Sequence, residues 1–136
     1  MVEALNAFVA SAISTLRDTM QVDATVDCMA SPNGPRPRFV VDVGVSGDLS
    51  SVTWVFPTEI ARELARQMVG TDDDEVQGFA AMELANVLTG RAVMSFASKG
   101  LKIEIHPPEL VAAVAPGMRA RLLTELGAIE IVFRQA

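Results

Sequence analysis

Glu83 and Asn86 are the residues best placed to do chemistry, three apart within a run of helical periodicity. On a wheel of about 100° per residue, Phe79, Glu83, Asn86 and Gly90 fall on one strip. Asp72 and Glu75 are expected on the same strip one or two turns earlier. Ala81, Ala85, Leu88, Ala92 and Phe96 fall on the opposite side, a small-residue stripe suited to close packing of a helix on a sheet. A carboxylate and a carboxamide on neighbouring turns can meet one partner together. Gly90 costs about 1 kcal/mol relative to alanine in a helix interior, and it lets another backbone or side chain approach beside the pair. The strip therefore reads as an acidic, hydrogen-bonding, locally flat docking surface. Spacing alone does not separate that reading from a solvated helix face, because Glu3 and Asn6 show the same spacing.

Other chemistry is poorly supplied. His106 is the only histidine, so a two-histidine zinc motif is excluded and no triad has a nucleophile at recognisable spacing. It precedes Pro107–Pro108 and reads as a partly exposed imidazole at a strand end. Cys28 is the single cysteine; it excludes an intrachain disulfide and reads as a small packed side chain. No glycine-rich phosphate loop is present. The run Asp72–Asp73–Asp74–Glu75 stands at a helix start, where compensation of the helix dipole accounts for it better than a cation site.

The elements that must position Glu83 and Asn86 follow from periodicity. Leu5, Phe8, Val9, Ala12, Ile13, Leu16 and Met20 predict a helix over residues 2–20. Val22, Ala24 and Val26 then alternate with polar residues as a half-buried strand. The stretch 31–37, SPNGPRP, reads as a hairpin loop leading to a strand through Phe39, Val41, Val43 and Val45. After a turn at Ser46–Gly47–Asp48, Val52, Trp54 and Phe56 make a third strand. Pro57 is expected at the first position of a helix carrying Ile60, Ala61, Leu64, Ala65 and Met68 and closed by Gly70. The longest helix is expected from Thr71 to about Ser98, closed by Lys99 and Gly100. Alternation returns at Leu101, Ile103 and Ile105, at Met118, Ala120 and Leu122, and at Ile129, Ile131 and Phe133, with a weaker strand signal at 110–115. Short turns between strands predict an α+β fold: one domain over residues 1–136, mainly antiparallel sheet packed against helices, with one long central helix. Helix followed by hairpin-linked strands occurs twice, which suggests pseudo-symmetry.

Composition narrows the partners. The chain has 136 residues, 50% of them hydrophobic and 21% charged, and a net charge of −6. That is globular composition, and without a Lys/Arg cluster it makes a nucleic-acid backbone a poor partner. MVEALNAF lacks a basic n-region, and no apolar run approaches the ~18 residues of a membrane span, so no membrane association and a cytoplasmic location are expected.

The stretch Glu83-Leu84-Ala85-Asn86-Val87-Leu88-Thr89-Gly90-Arg91-Ala92 resembles the signature helix of the CheC/CheX/FliY chemotaxis phosphatases, Glu-x-x-Asn followed by a glycine four residues on. The opening Val2–Phe8, the strand-then-helix run from Val52 to Met68, and a proline at 107 or 108 after the long helix are similar to the CheX branch. The resemblance spans nearly the whole chain. It departs at Arg91, where many relatives have Asn, and in lacking a glycine within Glu109–Ala115.

The resemblance implies hydrolysis of the aspartyl phosphate of a CheY-like receiver domain. Such a phosphate is labile, so catalysis chiefly requires a water held in line with the leaving oxygen. Asn86 is expected to orient that water, since a carboxamide both donates and accepts. Glu83 is expected to pair with a receiver lysine and fix the docking register. Phe79 and Gly90 are expected to contact the partner. The receiver would supply Mg²⁺, and this chain would need no cofactor or metal of its own. The CheX branch is similar in forming homodimers, so a homodimer is expected, with exposed strand edges as a means. A domain of this fold that docks a receiver or itself without hydrolysis is the competing reading, and a structural part of a motility complex ranks below it.

Overall fold

Alternating apolar residues build the sheet. Val41 and Val43 in one strand and Val52, Trp54 and Phe56 in the next point to a single face, where they are fully buried. The computed structural model describes residues 2–27, 38–45, 49–97, 104–114 and 116–135. In chain order the elements are α1 (Val2–Met20), β1 (Ala24–Val26), β2 (Arg38–Gly44), β3 (Leu49–Pro57), α2 (Thr58–Val69), α3 (Asp74–Ala97), β4 (Glu109–Leu110), β5 (Met118–Thr124) and β6 (Gly127–Gln135). The strands form one six-stranded sheet in the order β1-β5-β6-β3-β2-β4, with every pairing antiparallel. This is the expected α+β architecture.

The strand order reads the same from both ends once β1 is exchanged with β4, β2 with β5 and β3 with β6. Within those pairs, β2 and β5 each have 7 residues, and β3 and β6 each have 9. The pseudo-symmetry suggested by the sequence is thus present in the sheet, centred on the β3–β6 pair. α1 and α3 stand in corresponding places ahead of the two strand sets, and α2 is the element without a counterpart.

The helices share one face of the sheet. Leu5, Phe8, Ala12 and Leu16 of α1, Ile60 and Ala61 of α2, and Ala81, Ala85, Leu88 and Ala92 of α3 join the inward strand residues in one core. Each fully buried Leu, Ile, Val or Phe contributes roughly 1.5–3 kcal/mol. Phe8 meets Phe133 edge-on at 4.8 Å, and Trp54 stacks on Phe56 at 6.1 Å. α3 packs against both α1 and α2. Its burial extends around Ala80, Leu84 and Val93 as well as the alanine stripe.

The opposite face carries no helix among the described residues, yet Val40, Thr53, Val55 and Val132 are buried there. The connection from β4 to β5 meets this face where it ends. β4 is at one edge and β5 beside the other, so their starting points are separated by β2, β3 and β6, a distance of roughly 19 Å at strand spacing. Val111 N–H donates to Val40 O at 2.9 Å as the connection departs. A Cβ on Gly117, where the connection ends, would lie 3.1 Å from Val132 Cγ1 and collide with the carbonyl of Phe133. Only glycine permits that approach.

Several sequence expectations shift. Pro57 is the N-cap of α2 rather than its first residue: its ψ of 150° keeps it extended as the last residue of β3, paired with Arg38. Gly70 caps α2 in the left-handed region at φ 78°, donating its N–H to Arg66 O at 2.9 Å. Met68, placed in the apolar stripe of α2, is exposed, as is Val26 on edge strand β1. The weak strand signal at 110–115 resolves to Glu109–Leu110, and residues 111–114 form no strand. Ile105 makes an isolated bridge to Val45. The remainder of the strand expected at 101–105, Cys28, the loop 31–37, the turn 46–48, and the closing Lys99–Gly100 lie outside the described residues.

Two backbone positions test this account by equilibrium urea unfolding. Gly127 opens β6 at φ 120°, and a Cβ there would come within 2.9 Å of Pro57. Gly127→Ala should cost about 1–3 kcal/mol. Gln21 closes α1 at φ 57° with a side chain where glycine is favoured. Gln21→Gly should therefore stabilise by about 0.5–1 kcal/mol.

Candidate functional site

α3 owes its start to local polar contacts. The expected opening at Thr71 moves to Asp74, and Gln77 N–H donates to Asp73 O at 2.9 Å as the first helical bond. Asp74 and Glu75 occupy the first turn, where negative charge complements the helix dipole. Asp72 lies before the helix and so does not extend the Glu83–Asn86 strip. Its carboxylate accepts from Arg66 Nη2 at 2.7 Å and lies 3.7 Å from Arg62 Nε, tying the α2–α3 turn back onto α2. These side chains are partly exposed, so the ties contribute little each and weaken with salt. Gln77, itself buried, holds the same turn by donating to Asp72 O at 2.5 Å.

Two glycines let α3 lie close to the segment that returns alongside it. A Cβ on Gly78 would stand 3.4 Å from Leu110 Cδ1, and one on Gly90 would stand 3.6 Å from Ile105 Cδ1. The 105–110 segment thus runs along α3 in the reverse direction. Gly90 is flanked by this chain's own Ile105, which occupies part of the space the sequence reserved for a partner.

Between these two contacts α3 presents its free ridge. Phe79 is 59% exposed, and Met94, further along the same helix, is 72% exposed. Glu83, one turn on, is exposed, and Asn86 is half-buried. Helical spacing puts the Cβ atoms of the last two about 5–6 Å apart. Neither side chain makes a hydrogen bond or ion pair with any described residue, so both keep their full hydrogen-bonding capacity. The structure therefore brings Phe79, Glu83, Asn86 and Gly90 onto one ridge, as the sequence predicts. Arg91 turns toward α1, its Nη1 lying 3.9 Å from Asp18 Oδ2. Glu3 and Asn6 are also exposed, in the first turns of α1.

Behind the ridge lies a feature that sequence reasoning passed over. Trp54 Nε1–H donates to Thr89 Oγ1 at 2.9 Å, and the Thr89 hydroxyl donates to Ala85 O at 2.7 Å; both side chains are fully buried. The sequence carried a signal for it. A lone tryptophan on an inward strand position needs an acceptor for its N–H, and Thr89 is a polar residue bordering an alanine stripe. His106 has no comparable role: its N–H donates to Gly44 O at 2.8 Å, and its imidazole rests against Gly44. Among the described residues no group of three or more His, Cys, Asp or Glu could hold a metal ion. No described helix is long and apolar enough to cross a membrane.

Comparison with known proteins then places this arrangement. The family profile described as "Chemotaxis phosphatase CheX" matches residues 39–131. No curated protein sequence matches. Among solved structures, the chain is similar to the chemotaxis protein CheX from Desulfovibrio desulfuricans, at 16% identity and a TM-score of 0.77 over 98% of this chain and 99% of that one. It is similar to CheX from Vibrio vulnificus at 20% identity and a TM-score of 0.76, covering 97% of each chain. The structure of the CheX–CheY–BeF3–Mg²⁺ complex from Borrelia burgdorferi matches at 20% identity and a TM-score of 0.71, over 99% of this chain and 100% of that one. At these identities the structural likeness shows a shared fold.

Thermal or urea unfolding separates the two kinds of residue on α3. Gly90→Ala should stabilise by about 0.5–1 kcal/mol, because its Cβ makes an ordinary contact with Ile105 and the helix gains propensity. Thr89→Val should destabilise by about 1–3 kcal/mol, because the buried indole N–H of Trp54 loses its acceptor.

Proposed function

The chain belongs to the CheX family of chemotaxis phosphatases, and we propose that it hydrolyses the aspartyl phosphate of a CheY-like receiver domain. The observation that carries this reading is the exposed ridge of α3, where Glu83 and Asn86 stand side by side without partners among the described residues. A helical ridge can enter a partner's active site in a way that a residue at the bottom of a pocket cannot. The reaction suits so sparse a site. The acyl phosphate is already activated, and what remains is to hold a water in line with the bond that breaks. The Asn86 carboxamide can accept a hydrogen bond from that water and donate one to a phosphoryl oxygen. In doing so it is neither protonated nor consumed.

Glu83, one turn earlier and exposed, is suited to a charge-assisted bond with a receiver lysine, which sets how far along the ridge the partner docks. Phe79 offers an apolar contact beyond it. The divalent cation that neutralises phosphoryl charge belongs in this reading to the receiver, as does the phosphorylated aspartate. A relative of this fold is known in complex with CheY, BeF3 and Mg²⁺, which supports a CheY-like partner. The expected homodimer would carry one such ridge on each chain.

Phosphate release from phosphorylated receivers of the same genome provides the test, with this protein at catalytic concentration. Asn86→Ala should slow turnover by roughly 100-fold or more while the chain stays folded. Glu83→Ala should raise the receiver concentration at half-maximal rate by about tenfold. If no receiver loses phosphate faster but one binds when phosphorylated, the protein docks without hydrolysis.

A further inference from the structure

The ridge and the sheet beneath it are joined by the buried Trp54–Thr89 hydrogen bond, and the point where it reaches α3 is informative. The Thr89 hydroxyl accepts from Trp54 Nε1–H at 2.9 Å and donates to the carbonyl of Ala85 at 2.7 Å. That carbonyl and the N–H of Asn86 belong to one planar peptide unit. Any tilt of the Ala85 carbonyl therefore turns the Cα–Cβ bond of Asn86 with it. A threonine hydroxyl bonded back to residue i−4 acts on the helix locally, and here the bond spans the turn that bears Asn86.

We infer that Trp54, acting through Thr89, is a positioning residue for the Asn86 carboxamide. The inference rests on the reading of Asn86 given above. Trp54 is a firm base for this purpose. It lies in β3 between Val41 of β2 and Ile131 of β6, is fully buried, and stacks on Phe56. Its N–H also fixes the orientation of the Thr89 hydroxyl. With one lone pair taken by the indole, the hydroxyl proton is directed at Ala85 O, and a donor–acceptor chain of this kind strengthens along its length. Glu83 precedes the Ala85–Asn86 peptide and is not held by it. The relay should therefore govern the water-orienting step and leave docking largely alone.

The test compares Thr89→Val, Thr89→Ser and Trp54→Phe with the unaltered chain, each well below its unfolding temperature and with rates expressed per folded molecule. Two readouts are needed: the backbone and carboxamide resonances of Asn86 by NMR, and kcat and KM for phosphate loss from a phosphorylated receiver. Thr89→Val should shift the Asn86 resonances while leaving those of the distant Gly127 turn in place. It should lower kcat about 10- to 100-fold with KM nearly unchanged. Thr89→Ser, which keeps the hydroxyl, should restore both readouts. A purely structural role would leave kcat per folded molecule intact, and that result in Thr89→Val, with Asn86→Ala inactive, would overturn the positioning role while leaving the proposed function standing. Wild-type kcat in Trp54→Phe would assign the effect to Thr89 alone and overturn the relay. If Asn86→Ala hydrolyses normally, the function and the inference fail together.

Discussion

A fully buried indole must find an acceptor for its N–H, and in this fold that requirement sets where the longest helix lies. Trp54 is at the middle of the sheet, where no water can reach it and strand carbonyls are engaged in the ladder. Leaving the N–H unpaired would cost about 1–3 kcal/mol, a large part of the 5–15 kcal/mol that holds a domain together. Thr89 meets the need only if α3 sits at one height along β3 and in one rotation. The alanines on either side of that contact let the helix come close enough for a 2.9 Å bond to form. One polar contact thus selects a register that apolar packing alone, being non-directional, would leave looser. Rotation fixed in this way puts Ala85 and Leu88 on the sheet and leaves Phe79, Glu83 and Asn86 outside.

The sheet's approximate two-fold arrangement gives α1 and α3 comparable seats, so symmetry alone does not explain why one helix carries the free ridge. The differences lie in what each helix meets. α3 is flanked by the 105–110 segment through Gly78 and Gly90 and packs on both α1 and α2. Among the described residues α1 receives no side-chain hydrogen bond from the sheet comparable to that from Trp54. Glu3 and Asn6 lie in the first turns of α1, where helices fray. Glu83 and Asn86 stand well inside a 24-residue helix whose backbone is held from both sides. An identical pair of side chains therefore stands near a helix end in one place and in a helix interior in the other.

Much of this was legible in the sequence because period and burial go together. The alternation at Val41–Val43 and Val52–Trp54–Phe56, the stripe on α1 and the glycine closing α2 each reflect a single local constraint, and each element formed where the pattern put it. The ridge was legible for the same reason: on a helix, spacing fixes angle. What escaped was decided by distant chain. Met68 matched the helical stripe of α2 yet is exposed near the end of that helix. Asp72 looked like part of the helix dipole's complement until Arg62 and Arg66 of the preceding helix drew it aside. The weak strand signal at 110–115 yielded only Glu109–Leu110, after which the chain must cross to the far side of the sheet to begin β5. The Trp54–Thr89 pair joins residues 35 apart, and no local pattern reports such a contact, although the need of the indole for an acceptor announces that one exists.

The sparseness of the site follows from what its reaction would leave undone. An enzyme that must generate a nucleophile requires a base, an orienter and a low-dielectric pocket, and all three leave marks in composition and burial. When the substrate is another protein's acyl phosphate, the bond is already weak, and the partner's own cleft can supply the cation and exclude water. What the second protein must add is then one hydrogen-bonding group, held at the right angle on a surface that can be inserted. Order is the scarce property of an exposed side chain, since each free rotamer lowers the fraction of encounters that begin in a reactive geometry. A half-buried carboxamide on a rigid helix interior, backed by a buried hydrogen bond to the centre of a sheet, supplies that order without a pocket. On that reading the stiffness of the fold would substitute for a histidine, a cysteine or a metal cluster on this ridge.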